Sequence, residues 1–265
     1  MATYPNNIFS PREKQNRSGV EYDPEKKTVI FVEDIKKLDD EVVAIEEELG
    51  LHFKRDRMDP NLVLYLPFEE NTGTMTKDLS GWGNHGALIN GPSWTNGKVG
   101  KCLSFDGAND YVNCGDGVSL KIGEPLTIEV WTKRQPGTPN DVKIVGNYHP
   151  DIKGYIMQSY NGDLSFGFSN GSGYINYNFG GDYRDGQWHH FVITKDSNYI
   201  RAYIDGNAQT PVNETRLIVP SDYGLGIGVG SNVWTSFPFN GLIDDVRIYN
   251  RALTASEIQD HYLNP

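Results

Sequence analysis

FNGLIDDVRIYN, residues 239–250, is the stretch on which the fold turns. Polar and apolar residues alternate through it with a period of two, the spacing of a strand and not of a helix. The alternation puts Leu242, Asp244, Val246 and Ile248 on one face and Ile243, Asp245 and Arg247 on the other. Asp244 thus falls on the more apolar face, where a carboxylate has to be paired, hydrogen-bonded or metal-bound. The strand runs into LTASEIQDHYL (253–263), a short helix whose start is marked by Thr254 and Glu257 as a capping box.

Upstream of this pair the chain, from Leu62 on, repeats one theme of short strands separated by turns. LVLYLPF, KCLSF, YVNC, LTIEVWTK, GYIMQSY, DLSFGFS, YINYNF, QWHHFVITK, YIRAYID and GLGIGVG each read as a strand. Asn161-Gly162 and Asp205-Gly206 are turn residues between them. With 29 Gly and 15 Tyr against 4 Met in 265 residues, the composition suits strands and tight turns more than a helical bundle. The expected fold is mainly β, a two-sheet antiparallel sandwich.

The segments LVLYLPFEENTGT, DLSGWGNHGAL, GKVGKCLSFDGANDYV, LTIEVWTKR, DGQWHHFVITKD, IRAYIDG and FNGLIDDVRIYNRALTASEIQDHY follow one another in an order that resembles the laminin-G-like, concanavalin A-like jelly-roll domains. The resemblance spans roughly residues 62–264, within a domain set at 61–265. It implies a binding or structural module, and a structural calcium ion near the first strand, the Gly/Asn-rich loop and the late aspartate. Glu69, Asp78, Asn84 and Asp244 are the side-chain ligands it implies, with backbone carbonyls around Trp82–His85. The alternative for Asp244 is a carboxylate that accepts loop N–H bonds without a metal.

Residues 1–33 form a polar arm with one short candidate strand, TVIFVE. Asp34 is a suitable N-cap and Gly50 a suitable stop for a helix over 34–50, followed by a charged connector, 51–60. In the helix Ile35, Leu38, Val42, Ile45 and Leu49 follow 3-4-3-4 spacing, a coiled-coil seam walled with charge, and isoleucine at both kinds of seam position leans toward three or more strands. A lone helix packed on its own sandwich is the other reading. TYPNNI and the segment TVIFVEDIKKLDDEVVAIEEELG resemble the N-terminal parts of bacteriophage tail and fibre proteins. That resemblance implies a virion component, assembled in the host cytoplasm and released by lysis, with the arm contacting other virion proteins. The opening MATYPNNIFSPREKQNR, which lacks an apolar signal core, fits that expectation.

The balance of 24 Lys+Arg against 35 Asp+Glu, a net charge of −11, disfavours nucleic acid as a partner. No apolar run approaches the ~20 residues of a membrane span. Catalysis is not expected: LTIEVWTK offers only Glu129, and no second acid stands beside it for glycoside hydrolysis. GLGIGVG is not a phosphate-binding GxGxxG, and His189 and His190, adjacent on a strand, point to opposite faces. DGANDY (106–111) reads as turn chemistry. Cys102 and Cys114, read as facing one another across a hairpin centred on Ala108, are either a disulfide or a pair of packed thiols.

Binding is better supported. Trp82, Trp94, Tyr148, Tyr160, Tyr174, Tyr177, Tyr183, Trp234 and Phe237 fall in loops or on strand faces among Asn, Asp and Gly, where flat rings can stack on sugars. A sandwich core also consumes aromatics, so only the most polar settings stand out: Trp82 and Trp234 first, then Tyr148 and Tyr177. The expected function is a non-enzymatic virion protein, a homotrimer whose jelly roll binds host-surface polysaccharide. A decoration or attachment protein that binds no glycan is the alternative, as is a sugar-binding module of a polysaccharide-degrading system.

Overall fold

The computed structural model describes residues 59–150 and 153–265. The arm, the helix with its Ile35, Leu38, Val42, Ile45 and Leu49 seam, and the connector as far as residue 58 lie outside the described residues. In chain order the first strands are β1 (Leu62–Leu66), β2 (Met75–Thr76), β3 (Gly86–Ile89), β4 (Ser93–Asn96), β5 (Lys101–Asp106) and β6 (Tyr111–Asn113). Next come β7 (Leu126–Lys133), β8 (Val142–Gly146), β9 (Tyr155–Tyr160), β10 (Asp163–Ser169), β11 (Tyr174–Asn178) and β12 (Trp188–Lys195). The last are β13 (Tyr199–Ile204), β14 (Asn207–Ala208), β15 (Val212–Asn213), β16 (Gly226–Ile227) and β17 (Asn240–Tyr249), followed by helix α1 (Ala255–Leu263).

They form two antiparallel sheets. The first runs β14-β13-β12-β7-β17-β5-β4, with β1 beside β17 and β15 beside β13; the second runs β11-β10-β9-β8-β16-β6-β3-β2. The main core lies between them, where Ile128 and Val130 of β7 and Phe191 and Ile193 of β12 meet Ile144, Met157, Phe166 and Phe168 of the second sheet. Both expected turns occur, and both are hairpins. Asn161 and Gly162 adopt φ of 53° and 90°, and Asp205 and Gly206 adopt 51° and 74°, the paired positive values that a two-residue hairpin requires.

A second, smaller core covers the outer face of the first sheet. Ile258 of α1 and Leu253 pack against Leu62, Tyr65, Val192, Tyr203 and Tyr249. The capping box is present: Thr254 Oγ1 accepts from Glu257 N at 3.3 Å, and Thr254 N donates to Glu257 Oε2 at 2.7 Å. Beneath the helix Glu129 is fully buried and accepts from His190 Nε2 and His261 Nδ1, each at 2.8 Å, and from Arg247 at 3.2 Å. Burial alone would raise the Glu129 carboxyl, but the Arg247 charge and the two histidine hydrogen bonds hold it well below the usual range.

Two expectations are corrected. The simple alternation in 242–248 fails because β17 carries a bulge between Asp244 and Arg247, with Asp245 at φ 52°. Past the bulge the faces exchange, so Ile243, Val246 and Ile248 enter the main core while Asp244 and Arg247 share the outer face. Cys102 and Cys114 do not face one another, because the turn between them is a corner: β5 belongs to the first sheet and β6 to the second. Both are buried free thiols. The DGAND corner is made as expected from side-chain-to-backbone bonds, Ala108 N to Asp106 Oδ1 at 2.7 Å and Asp106 N to Asp110 Oδ2 at 3.1 Å.

Candidate functional site

The outer face of the second sheet carries an aromatic and amide platform. In β11 the period of two puts Tyr174, Asn176 and Asn178 on that face and turns Ile175 and Tyr177 toward the core. Asn178 lies opposite Ser165 of β10, Ser165 opposite Gln158 of β9, and Gln158 opposite Lys143 of β8. These positions form one polar row across four strands.

Two glycines make room for the rings. A Cβ on Gly167 would run into the Tyr174 ring, and a Cβ on Gly230 into the Trp234 ring. Each ring therefore rests on bare backbone. Between them stands Tyr148, its centroid 4.8 Å from that of Tyr174 and 5.3 Å from that of Trp234. Phe237 continues the apolar part and is 53% exposed, and Tyr174 is 44% exposed.

The amides beside the rings are linked. Gln158 Nε2 donates to Tyr174 Oη at 2.8 Å and to Asn176 Oδ1 at 2.9 Å, and Asn176 Nδ2 donates to Asn178 Oδ1 at 2.8 Å. Tyr174 Oη in turn donates to Asn176 Oδ1 at 3.2 Å. Lys143 Nζ donates to Gln158 Oε1 from beneath, 5.4 Å from the Trp234 ring centroid and 5.1 Å from that of Phe237. Burial lowers the Lys143 amine to about 8, against the attraction of Asp141. Flat rings next to fixed donors and acceptors can hold the apolar face and the hydroxyls of a saccharide at once.

Of the four aromatic candidates read from the sequence, the structure gathers Tyr148 and Trp234. Trp82 is 56% exposed but stands in the loop between β2 and β3, at the edge of the sheet opposite β11. Tyr177 faces inward and is engaged by an ion pair, donating to Glu214 Oε2 at 2.5 Å and accepting from Arg216 at 2.9 Å. Lys143, Gln158 and Asn176 escaped the sequence reading. The YINYN alternation carried a signal for Asn176, since residues two apart on a strand share a face.

The four candidate calcium ligands divide between two loop clasps. Asp78 is saturated by donors: Tyr65 N and Ser80 N at 2.9 Å on Oδ1, Ser80 Oγ at 2.8 Å and Asn84 N at 2.9 Å on Oδ2. Asn84 Nδ2 binds Val63 O at 2.8 Å and Ser119 Oγ at 2.9 Å. Glu69 and Asp244 instead hold the 97–101 loop, Glu69 through Lys101 N at 3.1 Å and Asp244 through Lys98 N at 2.8 Å and Val99 N at 3.1 Å. Burial, with the Asp245 and Glu69 charges, lifts Asp244 to about 7 despite those N–H bonds. Calcium needs six to eight oxygens about one centre. These side chains do not fit that demand, and among the described residues no three acidic, histidine or cysteine side chains gather as a metal site.

Comparison with known proteins agrees with this architecture. The model of the concanavalin A-like lectin/glucanases superfamily matches residues 106–259. Domain 4 of AbnA, a GH43 extracellular arabinanase from Geobacillus stearothermophilus solved with arabinotriose, superposes with a TM-score of 0.63 at 22% identity, over 76% of this chain and 97% of that one. The binding domain of Paraclostridial Mosquitocidal Protein 1 gives a TM-score of 0.63 at 19% identity, over 76% and 52%. The binding domain of botulinum neurotoxin serotype G gives 0.59 at 15%, over 77% and 51%, so the chain spans about half of either toxin domain. At these identities the likeness is one of fold. No curated protein sequence matches the chain.

Proposed function

From the premise that the chain belongs to the concanavalin A-like lectin/glucanases superfamily, we propose that its sandwich is a non-enzymatic module that binds polysaccharide through the outer face of the second sheet. The observation that carries this reading is the Tyr148–Tyr174–Trp234 group beside the Gln158–Asn176 amides. The arabinotriose in the AbnA domain structure supports it by analogy of fold. The platform's polar groups are amides, phenols and one ammonium; the paired carboxyls that glycoside hydrolysis uses are not among them.

The seam of Ile35, Leu38, Val42, Ile45 and Leu49 supports the further part of the proposal, that several such sandwiches are carried together on a bacteriophage particle. Each could then bind weakly and still hold a host surface through avidity.

A glycan array, followed by calorimetric titration of the best ligand, tests the platform. Tyr174→Ala and Trp234→Ala should each weaken binding roughly 10-fold, the scale of one stacked aromatic. Binding undiminished by both would sink the proposal.

A further inference from the structure

Lys143 is only 6% exposed, and it lies at the floor of the platform. Its ammonium makes one hydrogen bond, to the neutral Gln158 amide, and no ion pair with a described carboxylate. Asp141, two residues away on the chain, attracts the ammonium but makes no ion pair with it, its Oδ1 accepting from Asn161 N at 2.7 Å. Two other buried cations are paired, Lys195 with Glu124 at 3.3 Å and Arg247 with Asp245 at 2.8 Å and Glu129 at 3.2 Å, whereas Arg134, buried at the far side of the same strands, donates to the Pro139 carbonyl and lies over the Phe239 ring, away from the platform. Burying an ammonium without an ion pair is costly, and a hydrophobic residue would fill the space under Trp234 and Phe237 without that cost. The position therefore calls for a negative group supplied from outside.

Resting on the reading of this face as a saccharide platform, the geometry points to a ligand that bears a carboxylate or a sulfate ester. Its anionic group is taken by Lys143 Nζ, with Gln158 as neighbour, while a ring face lies on Tyr174 and Trp234. A single buried ammonium gives short-range selection and no long-range pull. The chain's net charge of −11 repels polyanions at a distance, so the recognition is of one acidic sugar at contact.

The titratable groups facing Lys143 are few. Asp141 flanks it on the chain, and the Tyr148 and Tyr174 phenols across the platform are both raised by burial, so they stay neutral through the range where the amine titrates. The amine is charged below about pH 8 and loses its proton above it. Affinity for an acidic ligand should therefore fall as pH rises past that point.

The test uses the full chain on an array of carboxylated, sulfated and neutral oligosaccharides, with a methyl-esterified copy of each carboxylated probe. Calorimetry then follows the best probe at pH 6.5 and 9.5 for the native chain, Lys143→Met and Tyr174→Ala. The expected result is acidic hits, weakened roughly 10- to 100-fold by esterification, by high pH or by Lys143→Met, the scale of one charge-assisted hydrogen bond. Whether the carboxylated or the sulfated arm is weakened identifies the anion. Neutral hits, or acidic hits indifferent to esterification and pH, overturn the inference; if Tyr174→Ala still weakens them, the platform reading survives alone. An array with no hit overturns both. Should Lys143→Met fail to fold, the esterification and pH arms, which need no variant, decide.

Discussion

A methyl group at Gly167 would occupy the space of the Tyr174 ring, yet the backbone there is ordinary β and would accept alanine. Gly167→Ala is therefore expected to lift the ring off the sheet and break its bond to Gln158. That overpacking should cost about 1–3 kcal/mol in a denaturation experiment, with a parallel loss of ligand affinity. His189 makes a second prediction. Its Nδ1 faces Asp205 at 2.8 Å and its Nε2 faces Asp185 at 3.1 Å, and the Asp205 hydrogen bond above all raises its pKa, burial opposing. A raised histidine binds more protons folded than unfolded, so its contribution is complete below about pH 6.5 and disappears as pH climbs through the raised value. The melting temperature should decline over that window, and His189→Gln should flatten the decline. The opposite faces of His189 and His190 were readable from adjacency alone. Lys143 was not, because nothing in DVKIVG tells which lysine will be roofed by rings from a loop 90 residues onward.

Among elements, the capping box was legible because both halves lie within four residues, and Thr254→Ala should cost about 1 kcal/mol by loosening the start of α1. The bulge in β17 was illegible for the converse reason: it exists only as a mismatch with β7, and sequence periodicity carries no record of the partner strand. Its consequence is large, since it delivers Arg247 to Glu129 beneath α1. Glu129→Gln would leave Arg247 with less counter-charge in a dry site, and a loss of about 3–5 kcal/mol is expected in chemical denaturation. Isosteric substitution isolates the charge from the shape, so an unchanged midpoint would mean that Asp245 alone suffices for Arg247.

For the molecule as a whole, the strands, the two-sheet plan and the helix after β17 were present in the sequence as periodicity and turn chemistry. The assignment of strands to sheets was not, and the corner between Cys102 and Cys114, read as a hairpin, shows why: a turn looks alike whether it folds a sheet back or crosses to the other. The seam at 34–49 yields a prediction at this scale. The intact chain should sediment as a trimer and a 51–265 truncation as a monomer; equal masses would remove the oligomer. Asp59, ahead of β1, is held to Arg251 at 2.6 Å just ahead of α1, and β1 lies in the first sheet. The C-terminal residues leave from α1 on that same side. The Asp59–Arg251 pair and α1 therefore lie with the first sheet, and the rings lie on the outer face of the second. The two outer faces of the sandwich thus differ in kind: one is sealed by its own helix, the other leaves Tyr174 and Phe237 open to solvent.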